Sequence, residues 1–144
     1  MLKFDITLLT SSEFLSAEAG DEFTETILEE DRILREALEK RGLKVTRTNW
    51  DNPDFNWAET KYVIFRTPWD YFSRYDEFAP WLEKTGKVTK FINPADIITW
   101  NIDKHYMLEL QKGGINIPNT IFLEPGETRS LTEITAGLNW DEFI

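Results

Sequence analysis

Polar residues follow each of the short apolar runs in the first two thirds of the chain. They are Thr10-Ser11-Ser12, then Asn49 and Asp51, then Arg66 with Asp70, and finally Asn93. In open parallel α/β sheets, ligands bind beyond the carboxyl ends of the strands. If the apolar runs are such strands, these side chains gather at one edge and form the candidate binding site.

Arg66 is the most informative of these residues, because it directly follows the apolar run 61–65. A guanidinium there suits a carboxylate or a phosphate, since its planar fork makes bidentate hydrogen bonds. The alternative is that Arg66 pairs internally with Asp70 or Asp51 and only fixes the loop. Residue type and position alone leave both interpretations open.

An aromatic platform for a ligand could be formed by Trp50, Trp57, Trp69, Trp81 and Trp100, but packing in the core or at its rim is the more common role. Trp69 is the best exception, because it lies between Arg66 and Asp70. His105, with no second His and no paired carboxylate, is expected to be a surface or structural residue. Lys104 is predicted early in a helix, against the preference of the helix dipole, and is therefore a candidate functional cation.

Charge and composition exclude several functions. The 144 residues carry 16 Lys and Arg against 26 Asp and Glu, a formal charge of −10, which disfavours nucleic acid and anionic membranes as partners. Without Cys there is no disulfide and no thiolate chemistry. The stretch from Glu13 to Asp31 has eight acids and no base, and we interpret it as a solvated face, since no metal-ligand spacing supports a metal site. No apolar run reaches the ~18 residues of a membrane span, so we expect a cytoplasmic protein.

The elements that would position these residues alternate between strand and helix. Apolar runs predict strands at 2–10, 43–50, 61–65 and 88–92, helical periodicity predicts helices at 29–41 and 70–85, and 51–57 is a loop. This order favours a parallel sheet covered on both faces. No Gly-x-Gly-x-x-Gly follows the first strand, which disfavours a dinucleotide site. Beyond Asn93-Pro94 we predict a helix at 103–112, a strand at 115–123, a short helix at 130–137 and the entry to a further strand at 138–144.

Several motifs together resemble the N-terminal part of ATP-grasp carboxylate–amine ligases, in particular bacterial glutathione-synthetase-like proteins and ribosomal-protein glutamate ligases. They are Arg66-Thr67-Pro68-Trp69-Asp70-Tyr71, Asn93-Pro94, Trp100-Asn101-Ile102-Asp103-Lys104, Tyr106-Met107-Leu108-Glu109-Leu110 and Gly114-Ile115-Asn116-Ile117-Pro118-Asn119-Thr120. Single pairs such as Asp-Lys are weak signals, but the order and spacing are more specific.

The resemblance implies a Rossmann-like, three-layer αβα pre-ATP-grasp domain at residues 1–95 and the truncated start of an ATP-grasp domain at 96–144. Such enzymes phosphorylate a carboxylate with ATP and Mg²⁺, and an amine then attacks the acyl phosphate. Arg66, Trp69, Asp70 and Tyr71 would face the substrates, with Arg66 on the carboxylate, and Lys104 would lie near the nucleotide phosphates.

In the family, the phosphate loop and the magnesium ligands come later in the chain. We therefore expect the natural protein to continue past Ile144, and this chain alone to bind no cofactor and to catalyse nothing. Surface left uncovered could also produce an oligomer. Two alternatives stay open: a free-standing α/β module that binds a small anionic ligand or a protein partner, and an inactive ATP-grasp relative that serves in protein interaction.

Overall fold

The first part of the chain forms a four-stranded parallel sheet. The computed structural model describes residues 1–15 and 20–140. The strands are β1 (Phe4–Thr10), β2 (Val45–Asn49), β3 (Thr60–Thr67) and β4 (Lys90–Ile92), in the order β2-β1-β3-β4. Every neighbouring pair is parallel, as predicted.

Helices connect these strands, and further helices follow the last strand. They are α1 (Ser12–Leu15), α2 (Glu22–Glu39), α3 (Tyr75–Gly86), α4 (Ala95–Ile102), α5 (Tyr106–Lys112) and α6 (Leu131–Thr135). Two 3-10 turns, Trp57–Glu59 and Trp69–Phe72, precede β3 and α3. Helix α2 begins earlier than the predicted residue 29, because the Asp21 side chain caps it by accepting a hydrogen bond from the Thr24 N–H.

The central strands carry the core on both faces. On one face, Leu9 and Val63 pack with residues of α3 and its neighbours in a cluster that also contains Trp50, Phe78, Leu82 and Phe91. Side chains alternate along a strand, so Arg66 of β3 lies on the opposite face, where it bonds to α2. The sheet is thus flanked by helices, which confirms the Rossmann-like αβα prediction.

The chain divides into two compact units between Ile102 and Asp103. The division lies seven residues beyond the predicted domain boundary at 95, because Ala95, Ile98 and Ile102 of α4 pack against the core of the first unit. The prediction of a single helix at 103–112 is wrong in its start: α4 is a separate helix, and α5 begins only at Tyr106.

The predicted strand at 115–123 is wrong. This segment is irregular, and the described part of the second unit contains no strand with which it could pair. Pro118 would also remove one ladder donor. The short helix predicted at 130–137 is present as α6, which Ser130 and Glu133 open with a capping box. Residues 138–140 form no strand, and 141–144 lie outside the described residues.

Candidate functional site

The carboxyl ends of β1 and β3 lie side by side at a topological switch point. From β1 the chain passes through α2 to β2, on one side, while from β3 it passes through α3 to β4, on the other side and the other face. Crevices for ligands form where the connections from two neighbouring strands pass to opposite sides of the sheet in this way. We refer to Thr10, Ser11, Thr67, Pro68 and Trp69, which follow or end these two strands, as the switch-point edge.

Hydrogen bonds join the two halves of the switch-point edge. The Thr10 and Thr67 hydroxyl oxygens are 2.7 Å apart, and the Ser11 N–H donates to the Thr67 carbonyl at 3.0 Å. The Ser11 hydroxyl is buried and has no hydrogen-bond partner among the described residues, so it is the unsatisfied polar group at this edge. Strand β3 ends at Thr67 because Pro68 cannot donate to the sheet.

A break in the strand register lies at Arg66. Leu9 pairs with Phe65 but Thr10 pairs with Thr67, so Arg66 is an extra residue in β3. Such bulges re-aim a side chain and are common beside functional sites. We predicted that the strand ends before Arg66, whereas Arg66 belongs to β3 and its side chain turns toward α2.

Arg66 is paired internally, but not with the predicted partners. Its Nε donates to Oδ1 of Asp31 at 2.8 Å and its Nη2 to Glu30 at 3.1 Å. The hydrogen bond with Asp31 raises the pKa of Arg66, against the effect of its partial burial. The other oxygen of Asp31 accepts from Nε of Arg47 at 2.6 Å. One carboxylate therefore links β2 and β3 to α2.

Asp31 corrects the interpretation of the acidic stretch as a solvated face. Its side chain is only 4% exposed, and its two arginine bonds compensate the burial of its charge. The signal was present in the sequence, because Asp31 follows the buried Ile27 by four residues and so lies on the same helix face.

Asp70 and Asp51, the expected partners of Arg66, bind Arg74 instead. Nη1 of Arg74 lies 2.6 Å from Asp51 and 3.0 Å from Asp70, and its guanidinium stands over the Trp50 ring at 4.6 Å. Asp70 also accepts from the Trp50 indole N–H at 2.9 Å. Both oxygens of Asp70 are therefore used to fix the loop that carries it.

Trp69 and Tyr71 have different surroundings, although both were assigned to the substrate side. Trp69 is 41% exposed and is held by Phe14 at 5.5 Å and Phe23 at 5.9 Å between ring centroids. Tyr71 packs against the core, 5.3 Å from Phe78. Of the two, Trp69 is the more exposed ring at this edge.

The remaining aromatic excess belongs largely to the core. Trp50 is buried in the cluster on the α3 face, and Trp57 and Trp81 pack against that cluster. The packing interpretation is confirmed for these three rings. Asn93, which ends the β4 side of the edge, adopts a positive φ of 29° in the turn before α4.

Lys104 and His105 lie in the second unit. Lys104 is not in a helix as predicted but in the turn before α5, and its Nζ stands 5.7 Å from the Tyr106 ring centroid. His105 does have paired carboxylates, contrary to expectation: its two ring nitrogens face Asp103 and Glu124.

The acidic side chains of the described residues do not gather into a metal site. In residues 1–15 and 20–140 no group of three or more His, Cys, Asp or Glu side chains could hold a metal ion. Near the sheet edge, the carboxylates of Asp31, Asp51 and Asp70 instead form ion pairs with arginines. Within these two ranges no side-chain cluster that could hold Mg²⁺ by itself is therefore found. Within the same ranges, no helix is long and apolar enough to cross a membrane.

These features define a class, a Rossmann-like parallel α/β domain with its candidate ligand crevice at the switch point. Residues 6–93 match the family described as the N-terminal domain of D-cycloserine synthetase DcsG, and the chain belongs to that family. The matched range begins at Ile6 within β1 and ends at the turn after β4. It therefore contains the sheet except for the first two residues of β1, together with the switch-point edge.

Two relatives are similar to this chain. The cycloserine biosynthesis protein DcsG of Streptomyces lavendulae is 30% identical over 93 residues, which are 65% of this chain and 31% of that protein. The crystal structure of D-cycloserine synthetase DcsG has a TM-score of 0.64 and 27% identity, covering 76% of this chain and 33% of that one. This chain thus spans about a third of the length of both relatives.

Proposed function

We propose that this chain forms the substrate-side N-terminal domain of an ATP-dependent ligase that joins a carboxylate to an amine through an acyl phosphate. The observation that carries the proposal is the family match over residues 6–93, because it covers nearly all of the sheet and the family is described as the N-terminal domain of a synthetase. The motif resemblance to ATP-grasp ligases supplies the reaction type. The switch-point edge supplies a surface where substrates would be held.

In the proposed reaction the substrate carboxylate attacks the γ-phosphorus of ATP and ADP leaves. The amine nitrogen then attacks the acyl carbon, an amide bond forms, and phosphate is released with loss of a proton from nitrogen. This domain would bind and orient substrates, while the phosphoryl chemistry would belong to the ATP-grasp part of such a ligase. Lys104 is the candidate phosphate contact within it.

Arg66 and Trp69 are the residues we assign to substrate binding. Nε and Nη2 of Arg66 are engaged by Asp31 and Glu30, whereas Nη1 makes no hydrogen bond within the described residues, and a guanidinium has five N–H donors. A substrate carboxylate can therefore bond to Nη1 or replace the largely exposed Glu30. Trp69 offers a ring that is 41% exposed and is held by two phenylalanines. We assign Asp70 and Tyr71 to supporting that loop.

The experiment is a hydroxamate assay with the protein that contains these residues. The protein is supplied with ATP, Mg²⁺, hydroxylamine as a general amine, and a panel of L- and D-amino acids as carboxylates. We expect ATP-dependent hydroxamate formation with one of them. R66A also removes one partner of the buried Asp31, so its kinetics are measured in protein whose circular dichroism matches that of the unchanged chain. In that protein R66A should raise KM at least tenfold or abolish turnover, because the guanidinium assigned to the substrate carboxylate is lost. The control is R32A, which removes an exposed guanidinium that bonds to Glu29 and Glu36 of its own helix. This variant should leave the kinetics unchanged.

Unchanged kinetics in R66A would remove Arg66 from the site. A second measurement separates the binding-module alternative: calorimetric titration of the 144-residue chain with ATP. We expect no tight binding, whereas micromolar affinity of the chain alone would favour a self-sufficient binding module.

A further inference from the structure

His105 connects two separate segments of the second unit. Its Nδ1 lies 2.7 Å from Oδ1 of Asp103 and its Nε2 lies 3.0 Å from Oε1 of Glu124. Its ring also stacks on Phe122, with 4.6 Å between centroids and 22° between planes. The chain's single histidine therefore joins the turn before α5 to a segment 19 residues further along.

The hydrogen-bond geometry is satisfied only by the protonated ring. A neutral imidazole has one N–H donor and one lone pair, whereas the imidazolium has two donors. With a carboxylate oxygen at each nitrogen, the neutral form would turn its lone pair toward one of them. The arrangement in which both ring nitrogens of His105 are hydrogen-bonded to carboxylates is thus that of the imidazolium.

The charges around the ring favour the same form. Asp103, on the turn that precedes α5, and Glu124, on the segment packed against it, face the ring, and the cation next to it in sequence, Lys104, stands over Tyr106 instead. The hydrogen bond to Asp103 raises the pKa of His105 from its ordinary 6.5, and Glu124 adds to this, against partial desolvation. A raised pKa means that the bonded state is complete below pH 6.5 and is lost as pH rises through the higher value.

The two contacts should not be lost together. Asp103 is two residues away and also accepts from the His105 backbone N–H at 2.9 Å, so the turn keeps that side chain in place. Glu124 is held to His105 from a distant segment by the longer of the two contacts. When one ring proton leaves, the contact to Glu124 is therefore the one that breaks.

The geometry points to a proton-controlled clip, in which protonated His105 fastens the Phe122–Glu124 segment to the turn at 103–105 and neutral His105 releases it. Lys104 lies inside that turn. If the proposed ligase function holds, the clip makes His105 a positioning residue for the phosphate contact of Lys104. This consequence alone rests on the proposed function.

The test is an NMR titration of the 144-residue chain from pH 5 to 9. A single histidine gives one set of ring signals, so no residue assignment is needed for it. We expect a titration midpoint above 6.5, and amide signals of Phe122 and Lys104 that shift with the same midpoint. In E124Q the His105 midpoint should fall and the Phe122 amide should stop following it.

The control is E127Q, which removes the same charge three residues further on, where the carboxylate binds Arg129 and not the ring. Its His105 midpoint should match that of the unchanged chain. A midpoint at or below 6.5, or a Phe122 amide that ignores the titration, would overturn the clip. No ATP is present, so this failure is distinct from a failure of the ligase proposal, which would leave the titration as it is.

Discussion

Replacing Asp31 with Asn tests whether one buried carboxylate ties α2 to the sheet. Asp31 accepts from Arg47 at 2.6 Å and from Arg66 at 2.8 Å. Asn has nearly the same volume, so D31N opens no cavity. The substitution removes the negative charge and turns the NH₂ group of Asn toward one of the two guanidinium groups. The N–H of that guanidinium that had bonded to Asp31 then faces another donor and has no acceptor there.

Removing one partner of a buried ion pair costs about 3–5 kcal/mol. The two arginines retain partial contact with solvent, 14% and 26% of their side chains, so we take the lower end. Unfolding should therefore become easier by roughly 3 kcal/mol, a substantial part of the ~5–15 kcal/mol that stabilises a typical domain. At about 2–4 °C per kcal/mol for a chain of this size, Tm should fall by roughly 10 °C.

The assay is urea unfolding followed by circular dichroism and tryptophan fluorescence. The matched control is E30Q, the neighbouring residue with the same charge change, whose side chain is 62% exposed and whose pair with Arg66 should contribute under about 1 kcal/mol. Equal losses in the two variants would refute the argument, because burial would then play no part in the difference.

Two further predictions concern packing and pH. F78A should lower the free energy of unfolding by about 3–5 kcal/mol, because Phe78 is 1% exposed. F72A should change the free energy of unfolding by under about 0.5 kcal/mol, because Phe72 is 73% exposed. Similar losses for the two variants in urea unfolding would contradict the assignment of Phe78 to the core. The hydrogen bond from Arg129 lowers the pKa of Glu127 to about 2, so this contact contributes stability above the ordinary carboxyl pKa and loses it as pH falls toward 2. A carboxyl NMR titration should show that midpoint and its return toward 4.5 in R129Q; an unmoved midpoint would mean that the pair is absent in solution.

The sheet could be predicted from sequence because its signals are local. The apolar runs of β1, β2 and β3 and the alternation with helices are enough to place a parallel sheet. The irregular run at 115–123 shows the limit. It has strand-like composition, but a strand also needs a neighbour with free N–H and C=O groups, and no local pattern reports whether one exists.

The candidate site was predicted in position but not in pairing. Arg66 and Trp69 do lie at the carboxyl ends of the strands. Which acid binds Arg66 depends on the register shift in β3 and on the side of the sheet that α2 covers, and both are long-range features. The role of Arg74 was not predicted either, because its contact with Asp51 is also long-range. Its spacing of four residues from Asp70 could have suggested an ion pair with that residue.

The most direct test of the central claim follows one oxygen atom. The carboxylate that forms a hydroxamate is prepared with ¹⁸O in its carboxyl group and supplied to the protein containing this chain, with ATP and Mg²⁺. An acyl-phosphate route must transfer one ¹⁸O to the released phosphate, which ³¹P NMR detects as an isotope shift. Phosphate free of ¹⁸O, or no ATP-dependent product from any carboxylate, would contradict the account.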